Sequence, residues 1–139
     1  MLGAEYKSNS NGNNSDERPR VLIVDDESLV TYSLSKYLAN NGFNVKATSF
    51  PEEALTLLEN ERFDIVITDL RMVPVSGTEI IRQLRRSGFE GKIIVMSAYF
   101  DEFETDLQEL NVDARLEKPF ELNRLLETIK EDNTAYKLF

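Results

Sequence analysis

Residues 65–77 read "IVITDLRMVPVSG", and this stretch decides how the rest of the chain is interpreted. Together with the two residues before it, "FDIVIT" (63–68) fits a strand covered on both faces, as in a parallel sheet. Asp69 follows directly, at a place where a buried carboxylate is costly. Gly77 comes eight residues after Asp69 and opens a segment of helical periodicity. An acid at the end of a buried strand either caps the following turn or belongs to a site, and the ends of the other strands decide between the two.

Four other segments of the chain also have the pattern of strands. "RVLIV" (20–24) and "KIIVMS" (92–97) are apolar runs typical of buried strands. "FNVKATS" (43–49) alternates like an edge strand, and "VDARL" (112–116) is short. Helical periodicity covers residues 28–40, 49–60, 77–87, 101–110 and 121–131. Five strands alternating with five helices predict an α/β fold, with a parallel sheet covered by helices on both faces.

The boundaries of the helices carry their own signals. Ser49 and Glu52 form a Ser-x-x-Glu pattern, which predicts a capping box at the start of the second helix. Pro51 suits the first turn of that helix. Gly42 and Gly88 follow the first and third helical segments and predict where they end.

Composition and charge exclude several classes of protein. The 139 residues include 16 Lys and Arg and 25 Asp and Glu, and the net charge of −9 disfavours direct binding to nucleic acid. No apolar run is long enough for a membrane span, and the N-terminus lacks a signal-peptide pattern, so we expect a cytoplasmic protein. The chain has no cysteine and no histidine. Any imidazole chemistry must therefore come from a partner.

Three regions are expected along the chain. Residues 1–18 are rich in Asn, Ser and Gly and are predicted to be a disordered leader. Residues 19–131 form the folded domain. Residues 132–139 are either a C-terminal extension or the start of a linker.

Polar side chains collect at the ends of the predicted strands. Asp25 and Asp26 follow the first strand, Asp69 the third, Ser97 ends the fourth, and Lys118 comes two residues after the fifth. Each of them alone has an ordinary explanation, such as a helix cap, a turn residue or a solvated lysine. Ligands of such folds bind at the carboxyl ends of the strands, where strand order reverses. If the first and third strands are neighbours, all five side chains line one site.

A cluster of this kind needs a cation. Two carboxylates about 4 Å apart repel by about 4 kcal/mol at an effective dielectric constant of about 20, and three raise the pKa of at least one of them. Lys118 supplies one positive charge, and a divalent ion can supply the rest. Oxygen ligands without His or Cys favour Mg²⁺, with Mn²⁺ as an alternative. A metal, a lysine and a hydroxyl together are typical of phosphoryl chemistry.

These residues resemble the receiver domain of two-component response regulators. The resemblance covers residues 19–131, and the matching elements are "VDD" (24–26), "ITDLRM" (67–72), Gly77, "MSA" (96–98) and "EKPF" (117–120). It implies a flavodoxin-like fold with strand order 2-1-3-4-5. It also implies a signalling switch that catalyses its own phosphotransfer and autodephosphorylation, and not an enzyme with separate substrates.

The resemblance implies a role for each site residue. Asp69 is the phosphoacceptor, and its phosphoryl group comes from a phosphohistidine of a sensor histidine kinase or phosphotransfer protein. Asp26 binds Mg²⁺ directly and Asp25 partly through water. Asp69 and the backbone carbonyl of Arg71 are the remaining protein ligands of the metal. Lys118 contacts the phosphoryl oxygens.

The resemblance further implies a switch and an output surface. Ser97 moves to hydrogen-bond the phosphoryl group after transfer, and Pro119 follows a peptide bond that is usually cis in the family. The surface of residues 101–131 binds a downstream protein or a second copy of the chain. Residues 101–110, "DEFETDLQEL", carry five acids, which indicate either a solvated face or a surface for a basic partner.

Two positions depart from the family pattern. The family's loop proline usually stands four residues after the acceptor, where this chain has Val73, and Pro74 follows one place later. Because Gly77 keeps its spacing, we expect a local difference in the loop without displacement of the next helix. Arg115 replaces the aromatic residue usually found three positions before the lysine. It is either simply exposed or in contact with the acids of residues 101–110.

Three other functions fit this sequence less well. A haloacid-dehalogenase-type phosphatase needs a second Asp two residues after its nucleophile, but Arg71 stands two after Asp69 and Glu27 two after Asp25. A flavin-binding domain of the same topology needs a phosphate-binding loop, where this chain has the acidic "DDESL" (25–29). A receiver that only binds proteins is disfavoured because all key positions are filled.

Overall fold

A computed structural model of the chain describes residues 16–131, so residues 1–15 of the predicted leader and residues 132–139 lie outside the described residues. The strands are Arg20–Val24 (β1), Asn44–Thr48 (β2), Ile65–Asp69 (β3), Lys92–Ser97 (β4) and Ala114–Glu117 (β5). The helices are Ser28–Ala39 (α1), Pro51–Asn60 (α2), Gly77–Arg86 (α3), Glu104–Leu110 (α4) and Leu122–Lys130 (α5). A 3₁₀ turn, Phe100–Phe103, precedes α4.

All strand pairs are parallel, and the sheet order is β2-β1-β3-β4-β5. This confirms the predicted α/β fold and the strand order implied by the resemblance. The apolar runs "RVLIV", "IVIT" and "KIIVM" become the three central strands, because only these are covered on both faces. The alternating segment becomes edge strand β2, as predicted.

Two apolar cores lie on opposite faces of the sheet. Alternate residues of each central strand point into different cores: Leu22 belongs to one and Ile23 to the other. The first core is completed by α2, α3 and α4, and the second by α1 and α5. Helices on both faces cover the sheet and leave the carboxyl ends of its strands as a common edge.

The predicted capping box at Ser49 is wrong. Helix α2 begins at Pro51, and its N-cap residue, Phe50, makes no side-chain cap bond. A residue before proline is pushed out of the helical region, and Phe50 is accordingly extended at φ −115° and ψ 101°. The Ser49 hydroxyl instead lies 3.2 Å from Oγ1 of Thr31, and the amide of Phe50 donates to Oγ1 of Thr48 at 3.0 Å.

Two other differences concern the last helices. The segment predicted as one helix from residue 101 begins with the 3₁₀ turn, and α4 has only seven residues. The apolar residues of the segment 121–131 predict a buried stripe, but Leu122 is 36% exposed, while Leu125 and Ile129 are buried. Leu122 is the first residue of its helix and lies at the rim of the fold. Within residues 16–131, no helix is both long and apolar enough to cross a membrane.

Candidate functional site

The register of the central strands places two carboxylates side by side. Val24 of β1 pairs with Thr68 of β3, so the residues that follow them, Asp25 and Asp69, lie at the same level of the sheet edge. One carboxylate oxygen from each of Asp25, Asp26 and Asp69 lies within 4.8 Å of the others. Asp25 is 0% and Asp69 6% exposed. The structure thus brings together the three acids that the sequence indicated.

Lys118 contacts this acid cluster directly. Its Nζ lies 2.6 Å from Oδ2 of Asp25 and 3.1 Å from Oδ1 of Asp69. The amide of Lys118 donates to the Ser97 carbonyl at 3.0 Å, which fixes the start of the loop after β5 beside β4. The Lys118–Pro119 peptide bond is cis, as the resemblance implied. The lysine is therefore held at the acids by both its backbone and its side chain.

The electrostatics of the cluster show an excess of negative charge. Burial raises the pKa of Asp69 to about 6, and the charge of Asp25 adds to the effect. Lys118 opposes this rise, and Asp26 contributes a further upward part. For Lys118, burial lowers the pKa, but the hydrogen bonds and charges of Asp25 and Asp69 outweigh burial and leave it raised. One lysine stays cationic but does not neutralise three carboxylates.

Ser97 ends β4 at the same edge, next to Met96, whose backbone pairs with Asp69. The residue is 1% exposed, and its Oγ accepts a hydrogen bond from the amide of Tyr99 at 2.8 Å. Its hydroxyl is thus engaged with the loop after β4 and not with the Asp69 carboxylate. Because Oγ acts as acceptor in this bond, its own hydrogen stays available for donation.

The loop between β3 and α3 is fixed by Gly77. The amide of Gly77 donates to the Leu70 carbonyl at 2.9 Å. A Cβ at this position would lie 2.1 Å from the carbonyl oxygen of Asp69 and 2.8 Å from Cα of Leu70, so only glycine fits. Helix α3 begins at Gly77, and the displaced Pro74 does not shift that start. The Val73–Pro74 peptide bond is cis.

The Arg71 side chain contacts Glu102 and Tyr99. Its Nη2 lies 3.1 Å from Oε2 of Glu102, and its guanidinium carbon lies 4.1 Å from the centre of the Tyr99 ring. The metal-binding role of its backbone carbonyl stays a prediction.

Of the two alternatives for Arg115, the structure shows the contact with the acids of residues 101–110. Nη1 and Nη2 of Arg115 donate to the two carboxylate oxygens of Glu104 at 2.8 and 3.2 Å. This contact lowers the pKa of Glu104. Glu102 and Asp106 of the same acidic segment also pair with arginines, so its surface is less negative than the sequence suggests.

Sequence reasoning missed two residues that touch the site. The amide of Tyr99 donates a hydrogen bond to Oγ of Ser97, and no periodic pattern in the sequence marks the position of Tyr99 in the loop. Glu27 lies 3.9 Å from Nζ of Lys118, and its amide donates to Oδ1 of Asp25 at 3.0 Å. The sequence "DDES" (25–28) carried a usable signal for Glu27, because Asp side chains often accept from the amide two residues later.

Comparison with known proteins agrees with this geometry. A family model described as response regulator receiver domain matches residues 21–130. The response regulator MprA of a Mycobacterium species is 38% identical over 109 residues, which are 77% of this chain and 47% of that protein. The protein of the same name from Mycobacterium avium is 36% identical over the same share of each chain. The chain spans about half the length of the curated relatives that it matches.

Solved structures give the same result. A CheY-like response regulator receiver domain protein from Methanospirillum hungatei has a TM-score of 0.78 and 29% identity, over 88% of this chain and 98% of that one. The response regulator TrrA from Thermotoga maritima, solved in complex with Mg²⁺ and BeF, has a TM-score of 0.70 and 30% identity, over 87% and 99% of the two chains.

Acids at the ends of β1 and β3, a hydroxyl at the end of β4 and a lysine after β5 occur together on a sheet of order 2-1-3-4-5. The family match covers both the sheet and these residues. The chain therefore belongs to the response regulator receiver domain family, the signalling switches of two-component systems.

Proposed function

We propose that Asp69 is the phosphoacceptor of this receiver domain. The observation that carries the proposal is that the buried Asp69 carboxylate lies 3.1 Å from the Lys118 ammonium and within 4.8 Å of carboxylate oxygens of two further acids. A buried acid in a charged cluster contributes little to the stability of the fold, and its place at the carboxyl edge of the sheet is where ligands of such folds bind. With a pKa of about 6, Asp69 is mainly ionised at neutral pH and thus available as a nucleophile.

The phosphoryl donor is a phosphohistidine of a sensor histidine kinase or phosphotransfer protein. An Asp69 oxygen forms a bond to phosphorus while the bond between phosphorus and the imidazole nitrogen breaks. The imidazole leaves with the electron pair of that bond and regains a proton from solvent. Since this chain has no histidine, the imidazole belongs to the partner. The product is an aspartyl phosphate, which water hydrolyses during autodephosphorylation.

The donor set fits Mg²⁺, with Mn²⁺ as the alternative. Three carboxylate oxygens lie within 4.8 Å of one another, and a hard oxygen-only site selects these ions over zinc. Asp25, Asp26 and Asp69 would hold the ion together with the backbone carbonyl of Arg71. When bound, the ion neutralises charge on the phosphoryl oxygens. The excess negative charge of the cluster is the feature of this structure that supports a cation there.

Lys118 and Ser97 act on the phosphoryl group itself. Nζ of Lys118 already touches the acceptor carboxylate and is positioned to pair with a phosphoryl oxygen. The Ser97 hydroxyl turns from the Tyr99 amide and donates its hydrogen to the phosphoryl group. Phosphorylation adds about −1.5 to −2 charge at Asp69, which shifts the equilibrium of the surrounding loops.

The proposal also includes an output surface, a cellular location and a role for each region of the chain. Residues 101–131 form the output surface, which binds a downstream protein or a second copy of the chain. The acidic chain does not bind nucleic acid itself, and the protein acts in the cytoplasm. Residues 1–18 serve as a leader, residues 19–131 as the receiver, and residues 132–139 as an extension or the start of a linker.

Intact mass spectrometry after incubation with phosphoramidate tests the acceptor assignment, because this small donor has the same kind of phosphorus–nitrogen bond as phosphohistidine. With Mg²⁺, wild type is expected to gain one phosphoryl group and Asp69→Asn none. Asp101→Asn, which changes an exposed acid, is the matched control and should behave as wild type. EDTA should prevent the reaction. An adduct on both wild type and Asp69→Asn would contradict the assignment, and no adduct on wild type would favour a receiver that only binds proteins.

A further inference from the structure

Two arginines from different elements hold the short segment that follows β4. Arg71, in the loop after β3, pairs with Glu102 and stacks on Tyr99. Arg115, on β5, makes two hydrogen bonds to Glu104. Both arginines thus contact residues 99–104, and we call these two arginines and their contacts the arginine clamp.

The clamp is strong enough to bias an equilibrium without locking it. The side chains of Arg115 and Glu104 are 37% and 47% exposed, and those of Arg71 and Glu102 are 55% and 46% exposed. A single exposed ion pair shifts an equilibrium by up to about fivefold. Two-point contact of Arg115 with one carboxylate and stacking of Arg71 on an aromatic ring place these pairs toward the upper end of that range.

The clamped segment also carries the hydrogen bond that occupies Ser97. The Tyr99 amide, at the start of the segment, donates to Oγ of Ser97. Arg71 stands two residues after Asp69, so one end of the clamp is attached to the acceptor loop. A side-chain rotation that carries Oγ of Ser97 toward Asp69 moves this oxygen away from the Tyr99 amide, which must then find another partner because an unpaired amide is costly. The segment and Ser97 are therefore mechanically linked.

We propose that the arginine clamp stabilises the unphosphorylated arrangement of residues 99–104 and thereby opposes the phosphorylated state. The inference rests on the proposed function of Asp69 and Ser97. Phosphorylation must work against the Arg115–Glu104 and Arg71–Glu102 pairs before the segment rearranges. Arg115 is thus a positioning residue that acts through Glu104 on the segment of residues 99–104. An ion pair takes the place of the aromatic side chain that the resemblance leads one to expect on β5.

Binding of Mg²⁺ with beryllium fluoride, measured by calorimetric titration, tests the regulatory part of the inference. Arg115→Gln and Glu104→Gln each break the same pair, and both are expected to bind the probe about two- to fivefold more tightly than wild type. The charge-swapped double variant, Arg115→Glu with Glu104→Arg, is expected to return toward the affinity of wild type. The two single variants change the net charge in opposite directions. A through-space charge effect on the site would therefore give them opposite signs, and that result would overturn the inference.

Glu102→Gln supplies an independent test of the Arg71 side of the clamp and should also tighten binding. Arg86→Gln is the control, because Arg86 is an exposed arginine whose ion pair, with Glu79, lies within its own helix. It should bind as wild type does. Unchanged affinity in all the clamp variants, or a swapped variant that resembles the single ones, would also contradict the inference.

Hydrogen exchange in the free protein tests the clamp without the site. Amides of residues 99–107 are expected to exchange about two- to fivefold faster in the single variants and to recover in the swapped variant. Unchanged exchange would show that the arginines do not hold the segment. A wild type that binds no beryllium fluoride, with the exchange result as expected, would instead contradict the proposed function and the regulatory role of the clamp together.

Discussion

Replacing the acceptor acid by its neutral isostere should stabilise the protein when Mg²⁺ is absent. Asp69 is 6% exposed and shares its surroundings with Asp25 and Asp26, while Lys118 offers a compensating charge. Asp69→Asn removes one negative charge from this cluster and keeps an oxygen that accepts from Lys118. Most substitutions of buried polar residues destabilise a protein. The opposite sign is expected here because the folded state disfavours ionisation of this group.

The magnitude follows from the pKa of Asp69. Folding raises it from 3.8 to about 6, and each pKa unit corresponds to about 1.4 kcal/mol, so ionisation of Asp69 lowers the free energy of unfolding by about 3 kcal/mol at pH 8. Between these two pKa values the unfolded chain binds fewer protons than the folded one, so the stability of wild type falls as the pH rises. The advantage of Asp69→Asn should be small below pH 3.8 and complete above pH 6.

Urea unfolding in EDTA at pH 8 and at pH 4 measures the effect. Asp69→Asn is expected to unfold at a higher urea concentration at pH 8, with an unchanged dependence on urea, and the difference should shrink at pH 4. Glu59→Gln, which removes an exposed acid on α2, should leave stability within about 0.5 kcal/mol of wild type. Saturating Mg²⁺ should stabilise wild type more than the variant. Equal or lower stability of Asp69→Asn at pH 8 would refute the view that the cluster is under electrostatic strain.

Three further predictions concern the same edge of the sheet. Lys118→Met should destabilise the Mg²⁺-free protein by about 3–5 kcal/mol at pH 8, because it leaves the buried Asp25 and Asp69 without their cation. Thermal unfolding should show a smaller loss at pH 4, because Asp69, whose pKa is about 6, is then neutral. Asp26→Asn should abolish most of the rise in melting temperature that Mg²⁺ gives wild type, where a concentration of about 100 times Kd is worth about 2.7 kcal/mol. Gly77→Ala should lower the free energy of unfolding, measured in urea, several times more than Gly88→Ala. A Cβ at Gly77 meets a backbone oxygen at 2.1 Å, whereas a Cβ at Gly88, at φ +79°, faces open space. Similar losses in the two variants would contradict this account of the loop.

The fold and the position of the acids could be predicted because both depend on the same local signal. Apolar runs that end abruptly in Asp25 and Asp69 mark buried parallel strands, and the register of such strands places their ends side by side. The start of α2 could not be predicted as well, because Ser49–Glu52 satisfies a capping pattern while Pro51 imposes a different helix start. The capping pattern and the restriction that proline places on the preceding residue predict different starts for the helix, and the structure follows the restriction by proline.

The state of Ser97 lay beyond prediction for a different reason. Its location at the end of β4 follows from the strand pattern, but its hydrogen bond to Tyr99 depends on the path of a loop that has no periodicity. The direction of the Arg115 side chain was easier to predict. Its neighbour Leu116 is buried, so alternation along β5 directs Arg115 to the opposite face of the sheet, where it pairs with Glu104. Side chains on regular elements inherit their direction from the backbone, whereas loop contacts arise only when the whole fold is assembled. The contacts of Tyr99 with Ser97 and with Arg71 are of the second kind. The strand-end residues therefore identify the family from the sequence, whereas no local pattern marks these loop contacts.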